Sequence, residues 1–174
     1  MPAAPITGNE AARLRALHEL SLLDTPPDGH LDGLVELVTR RLRVASAAIS
    51  LVDRGRQWFK ARVNVPTAET PRALAFCAYT ILGTEPLVVA DATADARFCD
   101  NPLVTHAPCI RCYAGFPLAT AGGHAVGTLC VVDFAPRVFS PQDLATLAAV
   151  SRAVVGRITL RRAVAGDILI AESL

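Results

Sequence analysis

Apolar residues recur with a helical period at the start of the chain. Ala11, Leu14, Leu17 and Leu20 share one face, Thr7 and Glu10 stand three apart as a capping box ahead of them, and Pro26 and Pro27 stop the pattern. Leu31, Leu34, Val35, Val38 and Leu42 then recur three, four and seven residues apart, which predicts a second helix. Arg40, Arg41 and Arg43 sit near its C-terminal end, where cations meet the helix dipole favourably. The segment ASAAISLVDRGRQWFKARV reads as two strands around Asp53-Arg54-Gly55-Arg56, a hairpin in which the glycine would supply a positive φ. Thr70 and Pro71 read as the N-cap and first residue of a helix running through Phe76, Cys77 and Ile81 to a stop at Gly83. Leu87 to Ala90 is a short strand, and CYAGFPLAT and HAVGTLCVVD form a second hairpin around Ala121-Gly122-Gly123. Ser140 to Asp143 caps a long closing helix with a mostly apolar stripe at Leu144, Leu147, Ser151, Val154 and Ile158. The order αα-ββ-α-β-ββ-α defines an α+β protein with one central antiparallel β-sheet of five to six strands and helices on its faces.

Composition narrows the class. With 174 residues, 52% hydrophobic and 19% charged, the chain has the apolar material for one globular domain with a full core. A net charge of +1 and scattered arginines leave no nucleic-acid footprint. No N-terminal signal pattern and no run of ~18 apolar residues is present, so a cytoplasmic protein without a membrane span is expected. Five cysteines, an odd number without a signal peptide, point to reduced thiols. Cys77 and Cys130 lie among apolar neighbours and read as packing residues, as does Trp58.

The stretch RFCDNPLVTHAPCIRC gathers Cys99, His106, Cys109 and Cys112. A four-coordinate metal needs its ligand atoms within about 2.0–2.3 Å of one point. If residues 109–113 were extended, Cys109 and Cys112 would lie ~10 Å apart on opposite faces. Pro108 leaves room for a turn, yet the expectation is unligated thiols and no metal. Arg72, Asp91, Arg97 and Arg111 fall at predicted element ends and loops, where an arginine could clamp a carboxylate or phosphate. The sequence contains no HExxH, GxSxG, P-loop or strand-to-helix GxGxxG, and a non-catalytic protein is expected.

Seven strings in order, from NEAARLRALHELSLLDTPPDGHLDGL through ISLVDRGRQWFK, ETPRALAFCAYTIL, PLVVADATADARFCDNPLV, YAGFPLAT and GTLCVVD to the closing helix, resemble the GAF domains at the N-termini of bacterial sensor histidine kinases and diguanylate cyclases. The resemblance implies terminal helices on one face of the sheet, often paired with a second subunit, and a ligand pocket enclosed by short helices and loops on the other. It departs at Ala75-Phe76-Cys77-Ala78-Tyr79, where such sensors commonly read Ser-Phe-Cys-Ala-His, and at Cys99 and Cys112, where residues closer to Ala and Phe are usual. On this basis residues 9–165 are the sensory domain, 1–8 an N-terminal tail, and 166–174 a tail or the start of a signalling helix. Phe76, Tyr79, Arg97, Phe98, Arg111 and Tyr113 are the expected pocket residues. The implied function is a cytoplasmic sensory domain that binds a small molecule, relays it through a homodimer of the first and last helices, and acts on a downstream signalling protein. Val154 and Ile158 are expected at the dimer seam. Ligand and cofactor identity stay open. The alternatives are a thiol-dependent free methionine-R-sulfoxide reductase, or a metal, iron–sulfur or redox sensor using Cys99, His106, Cys109 and Cys112.

Overall fold

The computed structural model describes residues 3–171, with side chains described through Arg161. Helices α1 (Glu10–His18) and α2 (Gly29–Leu42) precede strands β1 (Ser46–Val52), β2 (Arg56–Val63) and β3 (Glu69–Pro71). A 3₁₀ turn (Arg72–Leu74), α3 (Phe76–Thr80), β4 (Leu87–Val89), α4 (Pro102–Thr105), β5 (Cys112–Ala119), β6 (Ala125–Asp133) and α5 (Pro141–Ala171) follow. The strands form one six-stranded sheet in the order β3-β2-β1-β6-β5-β4, every neighbouring pair antiparallel. This is the α+β sheet expected from the sequence.

Both faces of the sheet are covered, so every residue of β1 is buried and the strand reads as a nearly continuous apolar run. Ala47, Ile49 and Leu51 pack with Leu17, Leu31, Val35, Leu147 and Val154 of the helical layer, while Ala48 and Val52 point to the opposite face with Phe76, Phe98 and Tyr113. Each fully buried Leu, Ile or Val contributes roughly 1.5–3 kcal/mol of transfer free energy. α2 starts where the Asp28 carboxylate accepts from the amides of His30 and Leu31 at 3.1 and 3.4 Å, and ends at Arg43, left-handed with φ 53°. α5 starts at a reciprocal cap: the Ser140 amide donates to Asp143 at 3.0 Å and the Asp143 amide to Ser140 Oγ at 3.1 Å.

Several local expectations are corrected. Thr7 and Glu10 meet, but not as a capping box: Thr7 Oγ1 donates to the Glu10 carboxylate at 2.8 Å, which also binds Arg13 and Arg72, and α1 starts at Glu10 after Asn9, whose side chain makes no cap bond. Thr70 and Pro71 end β3 rather than opening a helix, because residues 69–71 pair with 56–58. The first hairpin closes without a left-handed Gly55, whereas Gly123 in the second takes φ 77°. Val154 and Ile158 are buried inside the chain against the sheet and α2, so they are not a wet stripe waiting for a partner. Residues 172–174, part of the expected C-terminal segment, lie outside the described residues.

Candidate functional site

On the face away from α1, α2 and α5 lies a cavity of about 390 Å³, within the range of small-molecule sites. β1 and β2 supply its floor, the loop 64–67 one rim, and α3 with the 107–110 loop the other. Phe59, Phe76, Ile110 and Val132 make its wall apolar, and among the described residues no Asp, Glu, Lys, Arg or His lines it. Two polar groups stand out. Gln57 is only 7% exposed, and its Oε1, like Thr70 Oγ1, is buried without a hydrogen-bond partner. An unpaired buried acceptor costs about 1–3 kcal/mol, which a ligand donor would recover.

A hydroxyl and thiol network crosses the cavity floor. Cys77 Sγ accepts from Thr128 Oγ1 at 3.0 Å and from Tyr113 Oη at 3.4 Å, and Cys130 lines the same cavity surface. Thr128 also meets Ser50 at 3.0 Å, and Tyr113 meets Thr80 at 2.7 Å. Burial opposes ionisation of Cys77, yet hydrogen bonds from Cys130, Ser50, Thr128 and Tyr113 outweigh it and bring the thiol down to about 6. The Cys130 thiol moves up, through its bond to Cys77 and its burial, and burial likewise raises the Tyr113 phenol. Hydrogen bonding thus favours the thiolate form of Cys77 over that of Cys130.

Of the six expected pocket residues, Phe76 and Tyr113 stand on the cavity wall. Phe98 is fully buried behind it, stacked on Phe76 with ring centroids 4.1 Å apart, and Tyr79 meets the Phe98 ring edge-on at 5.0 Å. Arg97 is exposed and pairs with Asp95 at 2.6 Å. Arg111 donates to the carbonyls of Val104 and Ile110 and so orders the rim loop instead of facing the cavity. Arg72 is buried on Glu10, and Asp91 accepts from Thr93 in a local turn.

The cysteines of the 99–112 stretch do not converge. Cys112 belongs to the helical core, where burial and then Asp133 raise its thiol to about 11. Cys109, at φ 61°, and Cys99 are half-buried. Among the described residues no group of three or more His, Cys, Asp or Glu is arranged to hold a metal. The thiols that do meet at the cavity are Cys77 and Cys130, read from the sequence as packing residues. Gln57 was legible in principle: it shares the cavity face with Phe59, and a lone amide on an apolar strand face is the signal.

A two-faced sheet with a helical layer on one side and an apolar cavity on the other is the architecture of a sensory domain. The chain belongs to the GAF domain family, which it matches over residues 26–158. It is 42% identical over 163 residues to a cyclic di-GMP phosphodiesterase of Pseudomonas aeruginosa, covering 92% of this chain and 28% of that protein's length. Among solved structures, the GAF domain of a phosphoenolpyruvate-protein phosphotransferase from Coxiella burnetii superposes with a TM-score of 0.66 at 16% identity over 91% of this chain and 99% of that one. Free methionine-R-sulfoxide reductase from Neisseria meningitidis, solved with its substrate, gives 0.65 at 16% identity over 94% and 99%. These relatives correct the expectation of a non-catalytic protein: a relative this similar is named a phosphodiesterase, and the same fold serves a reductase. No helix among the described residues is long and apolar enough to cross a membrane.

Proposed function

We propose that this GAF domain is a cytoplasmic sensory module that takes an uncharged, largely apolar small molecule with at least one hydrogen-bond donor into the cavity and relays its presence to cyclic di-GMP hydrolysis. The observation that carries the ligand class is the unpartnered acceptor Gln57 Oε1, with the unpartnered Thr70 hydroxyl, set in a wall without a charged side chain. A cyclic dinucleotide does not match that wall, because its two phosphates would meet no basic group. The link to the phosphodiesterase follows from the relative at 42% identity, whose length this chain covers by 28%. Relay runs through α5, the longest element, paired with its copy in a homodimer.

The test is binding of N-phenyl-1-naphthylamine, an uncharged apolar fluorophore with one N–H donor. It should bind with a fluorescence increase, weaken roughly tenfold on Gln57→Leu, which removes about one hydrogen bond, and fail on Ala48→Leu together with Ala75→Leu, which fill the cavity. Equal binding by all three proteins would overturn the assignment.

A further inference from the structure

The ligand cavity ends on two thiols, and its lining gives them more than shelter. Cys77 comes from α3 and Cys130 from β6, elements far apart in sequence that both reach the cavity surface, and Thr128, two residues before Cys130 on the same face of β6, bonds Cys77 Sγ at 3.0 Å. Thr128 and Tyr113 donate to Cys77 Sγ from the sheet, so the sulfur is surrounded by protons and by no carboxylate. That is the environment of a thiolate nucleophile, with a second thiol within reach to resolve what it forms. The remaining cysteines do not compete: Cys112 lies under the helical layer, and Cys99 and Cys109 lie outside the cavity lining.

We propose that Cys77 and Cys130 are a redox site that reduces organic hydroperoxides drawn into the apolar cavity, ending as a Cys77–Cys130 disulfide. In the first step the Cys77 thiolate attacks the terminal oxygen of R–O–O–H. The S–O bond forms, the O–O bond breaks, and the departing alkoxide takes a proton from Tyr113 Oη, which water restores. Cys77 is then a sulfenic acid. In the second step the Cys130 sulfur attacks Cys77 Sγ, the S–S bond forms, the S–O bond breaks, and hydroxide leaves with the Cys130 proton as water. The sum is one hydroperoxide and two thiols giving one alcohol, one water and one disulfide, and a dithiol reductant restores the pair. Apolar walls at Phe59, Phe76 and Val132 select an organic hydroperoxide over hydrogen peroxide. The product bond ties α3 to β6 across the floor and so changes the shape offered to the ligand.

The experiment treats the reduced full chain with cumene hydroperoxide under anaerobic conditions, blocks remaining thiols with N-ethylmaleimide, and maps linked peptides by mass spectrometry. The expected product is a Cys77–Cys130 linkage, formed at least about tenfold faster than in the urea-unfolded chain and faster than with hydrogen peroxide. Cys130→Ala should stop at a Cys77 sulfenic acid that dimedone traps. Tyr113→Phe should slow the first step, with thermal unfolding confirming that both variants are folded, and Cys99→Ser should leave the rate unchanged. A dominant linkage at any other pair, sulfenic acid first at another cysteine, or a native rate equal to the unfolded one would overturn the proposal. The proposal uses the cavity but not the relay: a chain that binds the naphthylamine and forms no such linkage refutes the redox site alone, while a linkage without naphthylamine binding refutes the ligand assignment alone.

Discussion

Tyr113 lies across Gly115, and a Cβ built on that glycine would land on the phenol hydroxyl and ring edge. The two residues are i and i+2 on β5, so they share a face, and the absent side chain is what lets the ring reach Cys77 and Thr80. Gly115→Ala should therefore force the ring from its place and cost about 1–3 kcal/mol, as overpacking does. In a Tyr113→Leu background the same change should cost much less, because the clashing atoms are gone. Thermal unfolding of the four proteins in this cycle measures the coupling. Additive costs would show that the glycine serves something other than the tyrosine.

Glu10 holds two arginines. It binds Arg13, itself 2% exposed at the side chain, and Arg72, which reaches it from the 3₁₀ turn after β3. Hydrogen bonding from Arg13, against the opposing effect of burial and with help from Arg72 and Thr7, holds its carboxyl far below the usual range. A lowered folded-state pKa means that the stabilisation is complete above the unfolded value of about 4.3 and is lost as pH falls through the folded value. Glu10→Gln should cost about 3 kcal/mol at pH 7, by leaving buried guanidinium groups without a counter-charge. The gap to the unmodified protein should narrow progressively as pH falls below about 4. Urea unfolding at a series of pH values reads both effects, and a gap that widens in acid would show the network to be assigned with the wrong sign.

Adjacent residues Arg97 and Phe98 separate surface from support. Phe98 is fully buried between Phe76 and Tyr79, so Phe98→Ala should destabilise by about 3–5 kcal/mol and loosen the cavity wall. The side chain of Arg97 is 44% exposed in its ion pair with Asp95, and Arg97→Ala should change stability by less than about 1 kcal/mol. Naphthylamine binding should follow the same order, because only Phe98 supports a residue of the wall.

These contrasts mark what the sequence could show. The sheet was legible because β1, β5 and β6 carry apolar runs of strand length and the second hairpin carries its glycines. α2 was legible from its 3.6-residue period, though not its Asp28 cap, and α5 from Ser140 and Asp143. The cavity was not. Its polar anchors come from β2 and the end of β3, and a bulge between Ile49 and Ser50 shifts the β1–β2 register in a way no local pattern announces. The pairing of Cys77 with Cys130 likewise exists only after β6 is placed beside β1. The cluster of cysteines at 99–112 was conspicuous in sequence for a reason that folding removes: Cys112 alternates to the helical face of β5 while Tyr113 takes the cavity face.

α5 offers the sharpest separation between folding and assembly. Val154 is completely buried against the sheet layer, whereas Leu160, less than two turns later, is 56% exposed. A carboxylate at 154 would have no partner inside the apolar core, so Val154→Glu should unfold or destabilise the domain by about 3–5 kcal/mol instead of producing a folded monomer. Leu160→Glu should leave the unfolding midpoint of the monomeric unit nearly unchanged, within about 0.5 kcal/mol, because the new charge stays in water. If two copies pair along the exposed side of α5, the same substitution buries a charge at the seam and shifts the chain to monomer. Light scattering at tens of micromolar, paired with circular dichroism on both variants, reads the two effects separately. Dimers from both the unmodified and the Leu160→Glu chain would place the seam elsewhere, and a folded Val154→Glu monomer would mean that the helix does not rest on the sheet in solution.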